Sequence, residues 1–246
     1  GPHGFDEGAG DFDASLVPAL PYAASPGESI VKTISLFQGS SEDCYPACVR
    51  TAAVLTVVGT VPPDDGATSF RPPYVGAEKP LISALGLRTD LLPSLEPVAS
   101  APGLEWVVEK YARVQLEHKG GRVGRIIRPV DNYGLEDPYG GHVGRDAADA
   151  ALQLMLNDPP ADKMPALIRY VQGGIDRYYA MRLGQTWPAG GGYSPNMKLP
   201  LAFAAVMLDD EAMKSAVSEH SPVASRSWGT KRPRSLRSTP NSSAFV

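Results

Sequence analysis

Glycine and proline punctuate this sequence throughout and limit the length of the regular elements that it can form. The 246 residues include 25 glycines and 24 prolines, together about a fifth of the chain. Glycine loses more conformational entropy on folding than other residues, and proline lacks the amide hydrogen that helices and sheets use. Hydrophobic residues still make up 43% of the chain, which is ordinary for a folded domain. We therefore expect a folded protein of short elements joined by many turns and long loops.

The charges divide the chain near residue 219. Residues 219–246 contain five basic residues, a single acid, seven serines and three prolines, a composition typical of a disordered tail or of a basic interaction arm. The remaining 18 basic and 26 acidic residues give 1–218 a net charge of −8. Nucleic-acid binding requires a basic face, so we expect no nucleic-acid partner. No apolar run reaches the roughly 18 residues of a membrane span.

The cysteine and histidine pattern predicts no metal centre and no other cofactor. Cys44 and Cys48 form a lone C-x3-C pair, whereas a zinc site needs two further ligands at suitable spacing. The four histidines are scattered, and none lies near the pair at such spacing. The two cysteines are therefore expected to form either a local disulfide or two free thiols.

Residues 1–63 are expected to be β-rich or extended. Two runs of β-branched residues predict strands, Ser29-Ile-Val-Lys-Thr-Ile-Ser-Leu-Phe37 and Ala52-Ala-Val-Leu-Thr-Val-Val58. A third extended stretch at 15–22 is interrupted by proline. Three such stretches are too few for a β-sandwich, so we interpret this portion as the edge of a β-domain.

Residues 64–218 change to a helical period and predict a mainly α domain. Apolar residues recur loosely over 81–95, and Leu104, Val107, Val108 and Tyr111 share one face of a helix that we expect to run to Gly120-Gly121. A polar loop at 122–144 comes next, and further helices are predicted at 146–157, 162–183 and 199–208. The short Pro-containing turn at 158–160 predicts a helical hairpin.

These hairpins, with Arg128-Pro-Val-Asp-Asn-Tyr-Gly134 and Trp187-Pro-Ala-Gly-Gly-Gly-Tyr193, resemble secreted bacterial proteins that carry an α/α-toroid domain. Polysaccharide lyases and some glycosidases belong to that group. The resemblance covers about 64–215 and implies a carbohydrate-active, secreted or periplasmic protein whose partner is a polysaccharide or oligosaccharide. A complete toroid has more helices than this chain offers, so the resemblance implies a partial domain.

The resemblance directs attention to the polar loop at 128–145 as the catalytic site. Elimination from a uronate sugar needs a group that neutralises the carboxylate, together with a base and an acid. Asn132 and Arg145 have suitable side chains for neutralisation, and His142 and Tyr133 for proton transfer. The alternative is structural, with Asn-Tyr-Gly as a turn, His142 packing in the loop and Arg145 as a surface charge.

Flat aromatic rings and a further arginine are candidates for binding the sugar. Trp187 and Tyr193 flank the glycine-rich loop, and Tyr139 and Arg128 belong to the 128–145 loop. Aromatic rings present an apolar face and a polar edge, which suits contact with a sugar.

Three other functions remain open. Hydrolysis would use Glu136 or Asp137 with a second carboxylate such as Asp176, placed across the substrate. A Ser/Lys esterase would use the S-x-x-K pair Ser29 and Lys32, which has to lie on a helix for the lysine to reach the serine. The third possibility is a non-catalytic helical scaffold that binds a glycan or a protein.

Overall fold

The computed structural model describes residues 3–6, 12–35, 49–116, 129–134, 140–187 and 193–219. Two strands, β1 (Ser29–Ser35) and β2 (Val49–Thr56), pair antiparallel with Ser29 opposite Thr56. Both strands were predicted. The described part of 15–22 forms no strand, and a short 3₁₀ turn at Ala14–Leu16 overlaps its start.

The described part of the chain is mainly α, as predicted. It contains six α-helices: α1 (Leu104–Tyr111), α2 (Val130–Tyr133), α3 (Gly140–Leu154), α4 (Pro160–Arg182), α5 (Tyr193–Met207) and α6 (Glu211–Glu219). None of them combines the length and the apolar character needed to cross a bilayer.

Helix α4 is the centre of the main core. Its buried face carries Leu167, Tyr170, Val171 and Ile175, which are all inaccessible to solvent. The Tyr170 ring makes edge-to-face contacts with Tyr111 at 4.9 Å and with Phe203 at 5.0 Å between centroids. These contacts join α4 to α1 and α5, so the helix fixes the positions of its neighbours.

A second apolar cluster connects the small sheet to the helical part. Val31 and Ala52 point from the inner face of the strands toward Tyr74, Leu116 and Ala180. The outer face of the same sheet exposes Ile34 and Leu55, as the alternation of side chains along a strand requires.

The structure corrects two predictions around the polar loop. Helix α3 begins at Gly140 and not at 146, so His142 and Arg145 lie on a helix. The reason is that residues 140, 143, 144 and 147 are buried at helical spacing and extend the apolar face toward the N-terminus. Short helix α2 also lies within the predicted loop, and Gly134 ends it with a left-handed φ of 62°, which glycine adopts without strain.

Two further helix predictions were wrong in extent. Over 81–95 the only helical piece is a 3₁₀ turn at Thr89–Leu91. The amides of this region serve long-range pairing instead, since Ala84 donates to the Thr68 carbonyl at 2.8 Å. Helix α1 ends at Tyr111, well before Gly120-Gly121.

The bounds of the remaining helices are close to those predicted from the sequence. Helices α3 and α4 match the two arms predicted around the proline turn, although α3 starts earlier. Helix α5 begins six residues before the predicted 199, and α6 was not predicted as a separate helix.

Candidate functional site: a cationic cleft

A cleft of about 690 Å³ opens between β2, the end of α1, the segment 66–71 and α4. This volume is within the usual range of ligand pockets, about 300–1,000 Å³. Its polar side chains come from separate parts of the chain: Ser69, Arg71, Tyr111, Arg113, Gln115, Arg169, Gln172 and Asp176. The site therefore forms only when the sheet, α1 and α4 have packed together.

One face of α4 provides the long wall of the cleft. Residues 165, 168, 169, 172, 173 and 176 line it, and these positions follow the i, i+3, i+4, i+7 spacing of a single helix face. Helical geometry gives this stripe a length of about 16 Å. A ligand that lies along this wall lies beside both Arg169 and Asp176.

Arg71 and Asp176 form an ion pair at one end of that wall. A guanidinium nitrogen of Arg71 contacts the Asp176 carboxylate, and another donates to the Pro72 carbonyl at 2.8 Å. Gln172 donates to the Arg71 carbonyl at 3.1 Å. Burial raises the pKa of Asp176, while Arg71 acts in the opposite direction. These contacts hold the guanidinium in one place beside the cleft.

Two exposed arginines lie toward the other end. Arg113 follows α1 in the chain, and Arg169 belongs to α4; both are exposed and line the cleft. The Arg169 guanidinium reaches the Ala112 carbonyl at 3.5 Å, which places it against the residue before Arg113. The two side chains therefore present positive charge from adjoining walls.

Lys79 adds a cation beside the Arg71–Asp176 pair without lining the cleft. Its ammonium donates to the carbonyls of Pro73 at 2.9 Å and Val75 at 3.4 Å. Burial, followed by the charge of Arg71, lowers the pKa of Lys79 to about 8. Near that pH the amine is about half neutral, so the local charge depends on pH.

Asn132 is buried, and its side chain is hydrogen-bonded within the fold. The side chain is 2% exposed. Its carbonyl accepts from the Thr51 hydroxyl at 2.7 Å and the Ala52 amide at 3.3 Å, and its amide donates to the carbonyls of Ala52 and Val114. With both amide groups engaged, Asn132 has no exposed group with which to neutralise a carboxylate.

The other predicted catalytic residues do not line the cleft. Tyr133 is 1% exposed and packs with Val143, Met197 and Trp187. His142 is half-buried in the first turn of α3, and the exposed guanidinium of Arg145 lies 3.6 Å from the Asp146 carboxylate. Tyr133 and Trp187 are therefore brought together, but in an apolar cluster.

Several predicted residues lie outside the described part of the chain. Arg128, Glu136, Asp137 and Tyr139 are among them, as are both cysteines and the tail after 219. Tyr193 is the first residue of α5, but its side chain is not among those that the structure describes.

The S-x-x-K pair lies on a strand. Ser29 is buried and its hydroxyl is 2.8 Å from that of Thr56, whereas Lys32 is exposed. Residues three apart on a strand point to opposite faces. The lysine is therefore not placed to activate the serine in the way that a Ser/Lys esterase requires.

No signal in the sequence predicts the three arginines of the cleft as one site. They are separated by about 40 and 60 positions in the sequence, so no local motif connects them. The usable signal was indirect: Arg169, Gln172 and Asp176 follow helical spacing on the side of α4 opposite to its apolar residues.

Among the described residues, no group of three or more His, Cys, Asp or Glu side chains is arranged to hold a metal ion. Comparison of the chain with protein-family models, with curated proteins and with solved structures finds no match.

Proposed function

We propose that this protein binds an acidic glycan, a chain of uronate sugars, in the cationic cleft. The observation that carries the proposal is the convergence of Arg71, Arg113 and Arg169 on one concave surface of a protein whose residues 1–218 have a net charge of −8. A guanidinium matches the planar geometry of a carboxylate and can donate two hydrogen bonds to it. An acidic body with one basic cleft selects for an anion at that position.

The remaining walls of the cleft support a sugar ligand. Gln115 and Gln172 line it. The Gln115 amide is already bonded to the Lys110 carbonyl and to the Arg177 guanidinium, whereas Gln172 is half-buried and its amide oxygen can accept from a hydroxyl group. Small residues form much of the surface between them, namely Ala52, Ala53, Gly66, Ala67 and Ala112. They leave room for a ring to lie along the α4 wall. We further propose, from the resemblance of the sequence, that the helices belong to a partial α/α toroid.

The lining favours binding over cleavage. Its one carboxylate, Asp176, is paired with Arg71, and burial raises the pKa of the Tyr111 phenol above its ordinary value. None of the described residues that line the cleft is a histidine. The carboxylate of this set is therefore engaged in an ion pair, which supports the scaffold alternative of the sequence analysis.

Isothermal titration of the full chain with an oligouronate and with a neutral glucan of equal length tests the proposal. We expect the oligouronate to bind and the glucan not to bind. The double variant R113Q/R169Q should weaken binding about tenfold or more, because a hydrogen bond to a charged group contributes about 1.5–3 kcal/mol and 1.4 kcal/mol is a factor of ten.

The matched control is R88Q/K214Q, which removes the same charge from exposed ion pairs with Asp90, Asp209 and Glu211. If both double variants weakened oligouronate binding equally, the effect would be one of general charge, and this result would contradict binding in the cleft. Appearance of the unsaturated product, followed by its ultraviolet absorbance and abolished in His142→Ala, would contradict the binding-only reading and favour the elimination predicted from the sequence.

A further inference from the structure

The arginines of the cleft form two separate groups along α4. We call Arg113 and Arg169 the outer station and Arg71 the inner station. Arg169 lies on α4 itself, and Arg71 is bound to Asp176 of the same helix, seven residues further on. A rise of 1.5 Å per residue separates the backbone of Arg169 from that of Asp176 by about 10 Å along the helix axis. A single carboxylate is too small to contact both stations.

We infer that the cleft selects its ligand by chain length, an inference that rests on the proposed binding of an acidic glycan. The outer station binds a carboxylate of any uronate. The inner station adds affinity only for a chain long enough to place a second carboxylate at Arg71 while the first is bound at the outer station. Once one end is bound, the second contact is intramolecular and its effective concentration is high. Affinity should therefore rise in a step when the chain becomes long enough.

The structure assigns Asp176 the role of a positioning residue for the inner station. Its side chain is 6% exposed, against 28% for Arg71, so the carboxylate is shielded while part of the Arg71 side chain is exposed and lines the cleft. Gln172 fixes the Arg71 backbone from the next turn of the helix. Because Arg71 is held before the ligand arrives, it loses less side-chain entropy on binding than a free arginine.

The test is calorimetric titration of the full chain with oligouronates of increasing length, from the monosaccharide upward. The native protein should show a step of about tenfold in affinity, the effect of one charge-assisted contact. R71Q/D176N removes both charges together and leaves no uncompensated buried ion. In this variant the affinity should no longer rise in a step as the ligand becomes longer.

The single variant D176N separates positioning from charge. It keeps the arginine and should reduce the ratio of the affinity for long chains to the affinity for the monosaccharide; a purely structural role would weaken binding of all lengths equally and leave this ratio unchanged. Arg71→Lys keeps the positive charge but loses the planar fork, so it should also reduce the step, and it provides the comparison if R71Q/D176N does not fold.

The outcomes distinguish this inference from the proposal on which it rests. If the native protein binds no oligouronate, the proposed function fails, and the length selection fails with it. If the native protein binds oligouronates and the step is absent, or persists in R71Q/D176N or in Arg71→Lys, only the length selection is overturned.

Discussion

Asn132 joins three parts of the chain through one side-chain amide. It pairs with both backbone groups of Ala52 in β2, accepts from Thr51 and donates to the Val114 carbonyl beyond α1. The amide thus occupies the place at Ala52 that a residue of a neighbouring strand would take. The sequence predicts that the Asn132 amide neutralises a substrate carboxylate, whereas the burial of this side chain gives it a structural role.

Replacing Asn132 by alanine should destabilise the fold by about 2–4 kcal/mol. The variant leaves buried backbone groups without partners, and each unsatisfied group costs about 1–3 kcal/mol. Urea denaturation measures the change. Thr51→Val removes a single bond to the same amide and should lower the free energy of unfolding by about 1 kcal/mol. A neutral N132A would contradict the structural role.

Lys79 should react with an amine-directed acylating reagent well before Lys214 at pH 8. Acylation requires the neutral amine, and the pKa of Lys79 is lowered to about 8. The pKa of Lys214 is raised by its bonds to Asp209 and Glu211, so it remains protonated. Peptide mapping by mass spectrometry after brief labelling at several pH values gives both rates. Labelling of Lys79 that did not rise through a midpoint near pH 8 would disprove the lowered pKa.

The contact between α4 and α5 depends on Gly174. A methyl group at this position would overlap the Pro200 carbonyl and the Ala204 side chain. Gly174→Ala should therefore destabilise the protein by about 1–3 kcal/mol, the usual range for overpacking, even though alanine is the better helix former. Thermal unfolding measures the loss.

Gly173→Ala is the matched control in the same helix. There the added methyl group meets chiefly the terminal nitrogen of Arg177 at 3.0 Å, so this side chain has to move by only a few tenths of an ångström, whereas at Gly174 the obstacle includes backbone. If G173A and G174A had equal effects, close packing of the two helices would not explain the result.

Some elements could be predicted from the sequence because their signals are local. The β-branched run before Phe37 and the apolar stripe of α4 each bury one face, and each formed the expected element. The helix predicted over 81–95 does not form because hydrogen bonds to distant residues, as at Ala84, replace the hydrogen bonds of a helix. The cleft escaped prediction because Arg71 and Asp176 lie 105 positions apart and meet only in the folded chain.

At the scale of the whole molecule, the sheet and the helices share one apolar cluster. Val31 and Ala52 from the strands pack with Tyr74, Leu116 and Ala180. The strands therefore bury their inner face only while the helical part is folded. A pair of strands without such support is marginal in water.

We expect one cooperative thermal transition in calorimetry, with equal calorimetric and van't Hoff enthalpies. Val31→Ala should lower its midpoint by about 5 °C, from a loss of about 2 kcal/mol. Ile34→Ala, on the exposed face of the same strand, should change stability by less than about 0.5 kcal/mol. A separate transition that moves only in V31A would show that the sheet unfolds alone.

The amide of Asn132 has a consequence for the behaviour of the protein at high concentration. An open strand edge is a template on which another chain can add by hydrogen bonding. Because both backbone groups of Ala52 are already paired with a side chain, an incoming strand finds that part of the β2 edge occupied. One buried amide thus blocks the addition of a strand at this position of the sheet edge.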